Sequence, residues 1–202
     1  MPGHRLEFPD AVRSLQAGGV LILPTDTLPG FHALVDDPEA VRRIALIKGR
    51  SEGKPLLGLA ADLDQAQGVL GKLTSRQLVL ARACWPGPFT LILPAASSIP
   101  DLVTACSGTL GVRVPDCEEL RAMLTAVGRP LVSTSCNRQG DPPVTQVDQA
   151  VAAFAREVDG FWAPPQKADL AAAPGRPSAL VDLVSWPPRV LREGPKPLPP
   201  TA

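Results

Sequence analysis

The sequence predicts an α/β domain in which helices pack on a mixed sheet. Short apolar runs with the length and Leu/Val/Ile content of buried strands recur along the chain. Between them lie segments of 3.6-residue periodicity, opened by Asp or Thr and closed by Gly. The 202 residues, 45% hydrophobic and 20% charged, have the size and make-up of one ordered domain with a sizeable core.

Asp10 reads as the cap of a first short helix that buries Val12 and Leu15 and stops at Gly18-Gly19. Val20–Leu23 is a buried strand closed by Pro24, and Pro24–Gly30 reads as a polar turn. Asp37 caps a helix with Pro38 in its first position, Lys48 near its end and Gly49 as its stop. Residues 55–61 form the next strand, followed by helical patterns at 62–70 and 75–84. Strands are expected at 89–93, 110–114, 131–134, 179–184 and 189–192, with helices at 117–127 and at 145–157, the latter capped by Thr145 or Asp148. The Pro/Gly-rich stretch at 171–177 belongs to a flexible loop spanning 163–177. The domain is expected to occupy residues 1–194, leaving a mobile Pro-rich tail at 195–202. No internal repeat stands out.

Twenty basic and twenty acidic side chains give a formal net charge of zero. That excludes a global basic field for gripping nucleic acid and leaves room for a local patch. Tyrosine is absent and aromatics total 4%, which argues against base-stacking platforms. The four cysteines include no C-x-x-C pair, and the two histidines are His4 and His32, so a structural zinc site is not expected. Neither a secretory leader nor a membrane span is expected, and the thiols read as those of a reduced, cytoplasmic protein.

Four segments hold chemistry-bearing residues. Thr25, Asp26 and Thr27 gather hydroxyls and a carboxylate at the end of a buried strand, either as a ligand site or as a self-satisfied turn. Residues 41–55 carry five basic side chains against one acid, Glu52. Lys48 falls on the helical stripe of Val41, Ile44 and Ala45, so it ends the buried face. It offsets the helix C-terminus, snorkels its stem along the apolar face, or joins Arg50 and Lys54 in gripping a polyanion such as a triphosphate. The spacing of Gly49, Gly53 and Lys54 does not make a Walker A loop. Ser133–Asn137 ends a buried strand in small polar residues able to offer hydroxyls and amides to phosphate, or simply to cap the strand. Arg113 sits on an apolar strand and needs an anionic partner, protein or ligand, and Arg192 raises the same question.

Taken in order, PTDTLPG at 24–30, KGRSEGKPL at 48–56, WPGPFTLILP at 85–94, LGVRVPD at 110–116, PLVSTSCNRQG at 130–140, SALVDL at 178–183 and VLREG at 190–194 resemble the YrdC-like family of threonylcarbamoyl-AMP synthases. The resemblance spans nearly the whole chain and implies an open, twisted mixed sheet with a concave basic site. It also implies a reaction in which L-threonine, bicarbonate and ATP give threonylcarbamoyl-AMP and pyrophosphate. A partner transferase would then use the product to modify an adenosine in tRNA. Carried over residue by residue, Lys48, Arg50, Ser135, Asn137 and Arg192 would hold the nucleotide. Thr25, Thr27, Arg113 and Ser178 would surround threonine, with Arg113 on its carboxylate. Mg²⁺ is expected with ATP, without metal ligands or an evident general base from the protein. Pro29 stands where the family usually has an aromatic residue, and His32 where a small residue is common. Cys136, Arg138, Gln139 and Ala179 are further departures. The alternative is a non-synthase paralogue of this fold that binds nucleotide or double-stranded RNA, for which any RNA contact would be weak. A hydrolase using His32 with Ser135 or Cys136 is a third reading, and no G-x-S-x-G elbow supports it.

Overall fold

The computed structural model describes residues 4–49, 55–164 and 177–200. Among the described residues the elements follow in the order β1 (His4–Arg5), α1 (Phe8–Gln16), β2 (Leu21–Leu23), β3 (Gly30–Leu34), α2 (Pro38–Lys48), β4 (Leu57–Leu59), α3 (Leu63–Gln67), α4 (Ser75–Cys84), β5 (Phe89–Pro94), α5 (Asp101–Thr104), β6 (Thr109–Arg113), α6 (Glu118–Val127), β7 (Leu131–Ser135), α7 (Val147–Phe154), β8 (Gly160–Phe161), β9 (Ala179–Asp182) and β10 (Arg189–Arg192). The strands form one open mixed sheet in the order β1-β8-β2-β3-β7-β4-β6-β5-β9-β10. Among the described residues no helix is long and apolar enough to cross a membrane.

Local chemistry explains most boundaries. Asp37 Oδ1 accepts the Glu39 and Ala40 amides to start α2, and Gly49 ends it in the left-handed region at φ 59°. Thr74 and Gln77 make a reciprocal capping box on α4. The expected cap at Asp10 is wrong. Helix α1 begins at Phe8 with Pro9 in its first turn, and Asp10 pairs with Arg13 instead. Helix α7 starts after Gln146, not at Thr145 or Asp148, with no side-chain cap. The strand expected at 55–61 is confined to β4 and the helix at 62–70 to α3. Residues 195–200 hold no helix or strand, yet Leu198 packs against the larger core.

The larger departure is β3. Pro29-Gly30 reads as a turn, and His32 interrupts an apolar run, so 30–34 does not announce itself as a strand. All five residues are nevertheless buried, between β2 and β7.

Strand alternation sorts the interior into two layers. Ile22, Phe31, Ala33, Val112 and Val132 face a core completed by Val41 and Ile44 of α2, Leu80 of α4 and Phe154 of α7. Leu21, Leu23, Leu34, Leu59 and Leu131 face the other way, under Leu15 of α1 and Leu120 and Leu124 of α6. Among the described residues, helices α1 and α6 cover only one end of this second face, and the other end lies open.

Candidate active site

The open end of that face is the floor of a cavity of about 570 Å³. Register places Ser133, Leu57, Gly111 and Ile92 side by side across β7, β4, β6 and β5, and Gly30 on β3 lies opposite Ser135, one pair nearer the strand end. The two glycines keep this floor low. A Cβ on Gly30 would come 2.8 Å from the Thr134 carbonyl, and one on Gly111 would come 3.1 Å from Thr90 Cγ2. Thr25, Thr27, Lys48, Arg113, Ser135, Asn137, Ser178 and Arg192 all line this cavity. Arg50 and Lys54 lie outside the described residues.

Arg113 ends β6, fully inside the protein at 3% exposure. Its Nη1 donates to Thr27 Oγ1 at 3.1 Å and lies 3.1 Å from Asp26 Oδ1. The aspartate contact is an ion pair without hydrogen-bond geometry, because Asp26 Oδ1 has no hydrogen-bonding partner, nor does Arg113 Nε. Asp26 Oδ2 accepts the Asp116 amide. Burial lowers the guanidinium's affinity for its proton, Asp26 opposes this, and the like charge of Arg192 adds to it. Arg192 donates from Nε and Nη2 to the Ser178 carbonyl, and Ser178 Oγ lies 2.8 Å from Thr90 Oγ1. Two guanidiniums thus face one cavity, and a buried N–H of one of them has no hydrogen-bond acceptor. An anion between them would gain charge-assisted hydrogen bonds and relieve their repulsion.

Thr25 realises the bland reading as well as the functional one. Its hydroxyl donates to the Leu28 carbonyl at 2.8 Å and accepts the Thr27 and Leu28 amides, so it builds the turn that presents Thr27. Lys48 also does two things. Its ammonium borders the cavity and donates to the Ser135 carbonyl at 2.7 Å, the Asn137 carbonyl at 3.0 Å and Asn137 Oδ1 at 2.9 Å. It therefore fastens the turn after β7 as well as placing charge beside it, a role that the spacing of the helix did not disclose. Asn137 Nδ2 completes the turn by donating to the Arg138 and Asp141 carbonyls.

The family model Sua5/YciO/YrdC, described as telomere recombination, matches residues 13–194. The chain belongs to the Sua5/YciO/YrdC family. It is 36% identical over 184 residues to the threonylcarbamoyl-AMP synthase of Alkalilimnicola ehrlichii, covering 90% of this chain and 93% of that one. With the threonylcarbamoyl-AMP synthase of Chromohalobacter salexigens it shares 36% identity over 149 residues, 74% of this chain and 80% of the relative. P. abyssi Sua5 complexed with L-threonine superposes with a TM-score of 0.85 at 28% identity, over 96% of this chain. This chain spans 57% of that archaeal protein.

Pro29 and His32, the residues the resemblance sets apart near the cavity, are not among its lining residues. Pro29 contributes a carbonyl to the Cys136 amide at 3.2 Å, and His32 lies wholly beneath the surface. His32 Nδ1 meets the Gly30 carbonyl at 2.9 Å, and Nε2 meets Ser133 Oγ at 3.0 Å. Burial, helped by the charge of Arg113 and opposed by the Gly30 hydrogen bond, brings its pKa down from 6.5 to about 3. A ring so reluctant to take a proton cannot act as the base of a serine hydrolase near neutrality. The hydrolase reading fails on geometry too. His32 reaches neither Ser135 nor Cys136, and burial pushes the Cys136 thiol far above its usual range. Besides Thr90 and Thr109, Ser133 is a cavity residue that the sequence did not single out. Its one signal was membership of the polar run 133–137, without anything to single it out.

Proposed function

We propose that this chain is a threonylcarbamoyl-AMP synthase, joining L-threonine, bicarbonate and ATP with release of pyrophosphate. The observation that carries the reading is a cavity fronted by Arg113, Arg192 and Lys48 with no carboxylate among its described lining residues. Such a wall suits substrates that each carry an anionic group: the threonine carboxylate, bicarbonate and the triphosphate. The family and the similarity to proteins of that name support it.

The chemistry asks chiefly for positioning and charge neutralisation. The threonine nitrogen forms a bond to the carbon of bicarbonate or of carbon dioxide derived from it. The amine proton is lost, and the spare bicarbonate oxygen leaves as water. A carbamate oxygen then bonds to the α-phosphorus as the bond to the β-phosphate oxygen breaks, and pyrophosphate takes the electron pair. In this scheme the Arg113 fork takes the threonine carboxylate, its Nε gaining the acceptor it lacks, with Thr25, Thr27 and Ser178 around the amino acid. Lys48, Arg50, Ser135, Asn137 and Arg192 hold the nucleotide. Among the described residues no three His, Cys, Asp or Glu side chains gather to hold a metal ion. Mg²⁺ on the phosphates of ATP would add to the neutralisation of their charge. The product would pass to a partner transferase acting on tRNA, and the compartment proposed for it is the cytoplasm.

The test is pyrophosphate release from ATP and Mg²⁺, with threonine and bicarbonate added singly and together. Release that requires both is the expected result. Release indifferent to threonine, or ATP binding without release under any combination, overturns the reading.

A further inference from the structure

The contact between His32 and Ser133 has no part in the scheme above, and it decides which way a cavity hydroxyl points. The two residues are directly opposed across β3 and β7. A carbonyl oxygen can only accept, so the 2.9 Å contact with Gly30 fixes the imidazole proton on Nδ1. Nε2 of the buried neutral ring is then a bare acceptor, and the Ser133 hydroxyl donates to it at 3.0 Å. A serine hydroxyl has one proton. With that proton turned into the sheet, the oxygen presents only lone pairs to the cavity that Ser133 lines.

Ser135, two residues along the same strand face, is set the same way. Its hydroxyl donates to Asn137 Oδ1 at 2.6 Å, and that amide is itself pinned by Lys48 on Oδ1 and by two carbonyls on Nδ2. The cavity's charged groups, by contrast, are all donors. An acceptor-only oxygen repels phosphate and carboxylate oxygens and suits an N–H or O–H, so Ser135 would meet the ribose or base of the nucleotide and not its phosphates.

We propose that His32 is a positioning residue that holds Ser133 as an acceptor-only hydroxyl for the amine of the amino-acid substrate. The proposal rests on the synthase reading and adds to it how the nucleophile is handled. The amine attacks only when neutral. A carboxylate partner would hold it as ammonium, whereas surrounding cations favour loss of its proton. A serine lone pair orients the remaining N–H and stabilises ammonium far less than a carboxylate would, which fits a site without an evident general base.

The test compares wild type, Ser133→Ala, His32→Phe and the double variant, using L-threonine and 3-hydroxybutyrate, which is threonine without its amino group. Binding is read by calorimetry in the presence of ATP, and turnover by pyrophosphate release. In Ser133→Ala the preference for threonine over 3-hydroxybutyrate is expected to fall about tenfold, as for loss of one buried hydrogen bond. The affinity for 3-hydroxybutyrate and the KM for ATP stay put, which a merely structural collapse would not allow. His32→Phe shows part of the same loss, and the double variant is no worse than Ser133→Ala. An unchanged preference in Ser133→Ala overturns the proposal, as does a shift in the ATP requirement, which would make a nucleotide group the donor. Additive losses overturn the role of His32. Should His32→Phe not fold, Ser133→Ala alone decides the amine assignment, and His32→Gln replaces it in the cycle. Wild type that binds no threonine sinks the synthase reading and this proposal together; wild type that turns threonine over, with the preference intact in Ser133→Ala, sinks this proposal alone.

Discussion

Acid should weaken this fold through one residue before its carboxylates are reached. His32 is wholly buried, with its pKa brought down from 6.5 to about 3, first by burial and then by the charge of Arg113. Its folded pKa lies below the unfolded one, so the unfolded chain binds the proton more readily. The stability its neutral burial contributes is complete above about pH 6.5 and is lost as the pH falls toward 3. Between pH 7 and pH 5 the unfolded histidine becomes almost fully protonated while the folded one does not, which costs about 2 kcal/mol. For a domain of this size that is roughly 4–8 °C in Tm. Urea unfolding followed by fluorescence of the three tryptophans, at pH 7, 6 and 5 and constant ionic strength, measures it in wild type and His32→Phe. The wild-type free energy should fall by about 2 kcal/mol more than that of the variant over this range. Parallel pH dependences in the two proteins would refute the reasoning and mean that His32 takes up a proton in the folded state at little cost.

Three further substitutions probe the site. Arg113→Ala should raise the threonine requirement by about 100-fold, the scale of a pair of charge-assisted hydrogen bonds, and leave the ATP requirement nearly unchanged; equal rises in the two would make the arginine a structural partner of Asp26. Lys48→Met keeps the stem but deletes three hydrogen bonds onto the 135–137 turn, so a stability loss of roughly 1–3 kcal/mol should accompany weaker ATP binding in calorimetry. Weakened binding with unchanged stability would assign the residue to charge alone. Gly30→Ala forces a methyl to within 2.8 Å of the Thr134 carbonyl and 3.0 Å of the His32 ring, and should lower the midpoint of urea unfolding by the equivalent of about 1–3 kcal/mol. An unmoved midpoint would show that the β3–β7 pairing can shift to make room.

What could be read from the residues was what depends on near neighbours. Asp37-Pro38 and Gly49 bracket a helix because capping and positive φ are local requirements, and the helix lies where they put it. Lys48 was legible as the end of a buried stripe by its spacing, but its partners lie 87 and 89 residues away and left no mark in the segment. Arg113 was conspicuous because a guanidinium among apolar strand residues must be compensated; that Thr27 and Asp26 share the task was not legible. Strand β3 was hidden by the histidine that gives it its chemical interest. A polar residue mid-strand looks like an interruption until its cross-strand serine, 101 residues on, satisfies it.

The cavity draws on Thr25 and Thr27, on Lys48, on Gly111 and Arg113, on Ser133 to Asn137, and on Ser178 and Arg192. These come together through a strand order in which β4 lies between β7 and β6, and β9 beside β5. Among the described residues the cavity's cations Lys48, Arg113 and Arg192 each come from a different part of the chain, so the site has no local precursor. It comes into being only when distant strands have found their register, late in a fold dominated by long-range contacts. Catalytic competence is therefore a report on complete folding. A clipped or partly folded chain would be expected to be inert rather than sluggish, and recovery of activity on refolding should coincide with the last strand pairing, not with the appearance of helices.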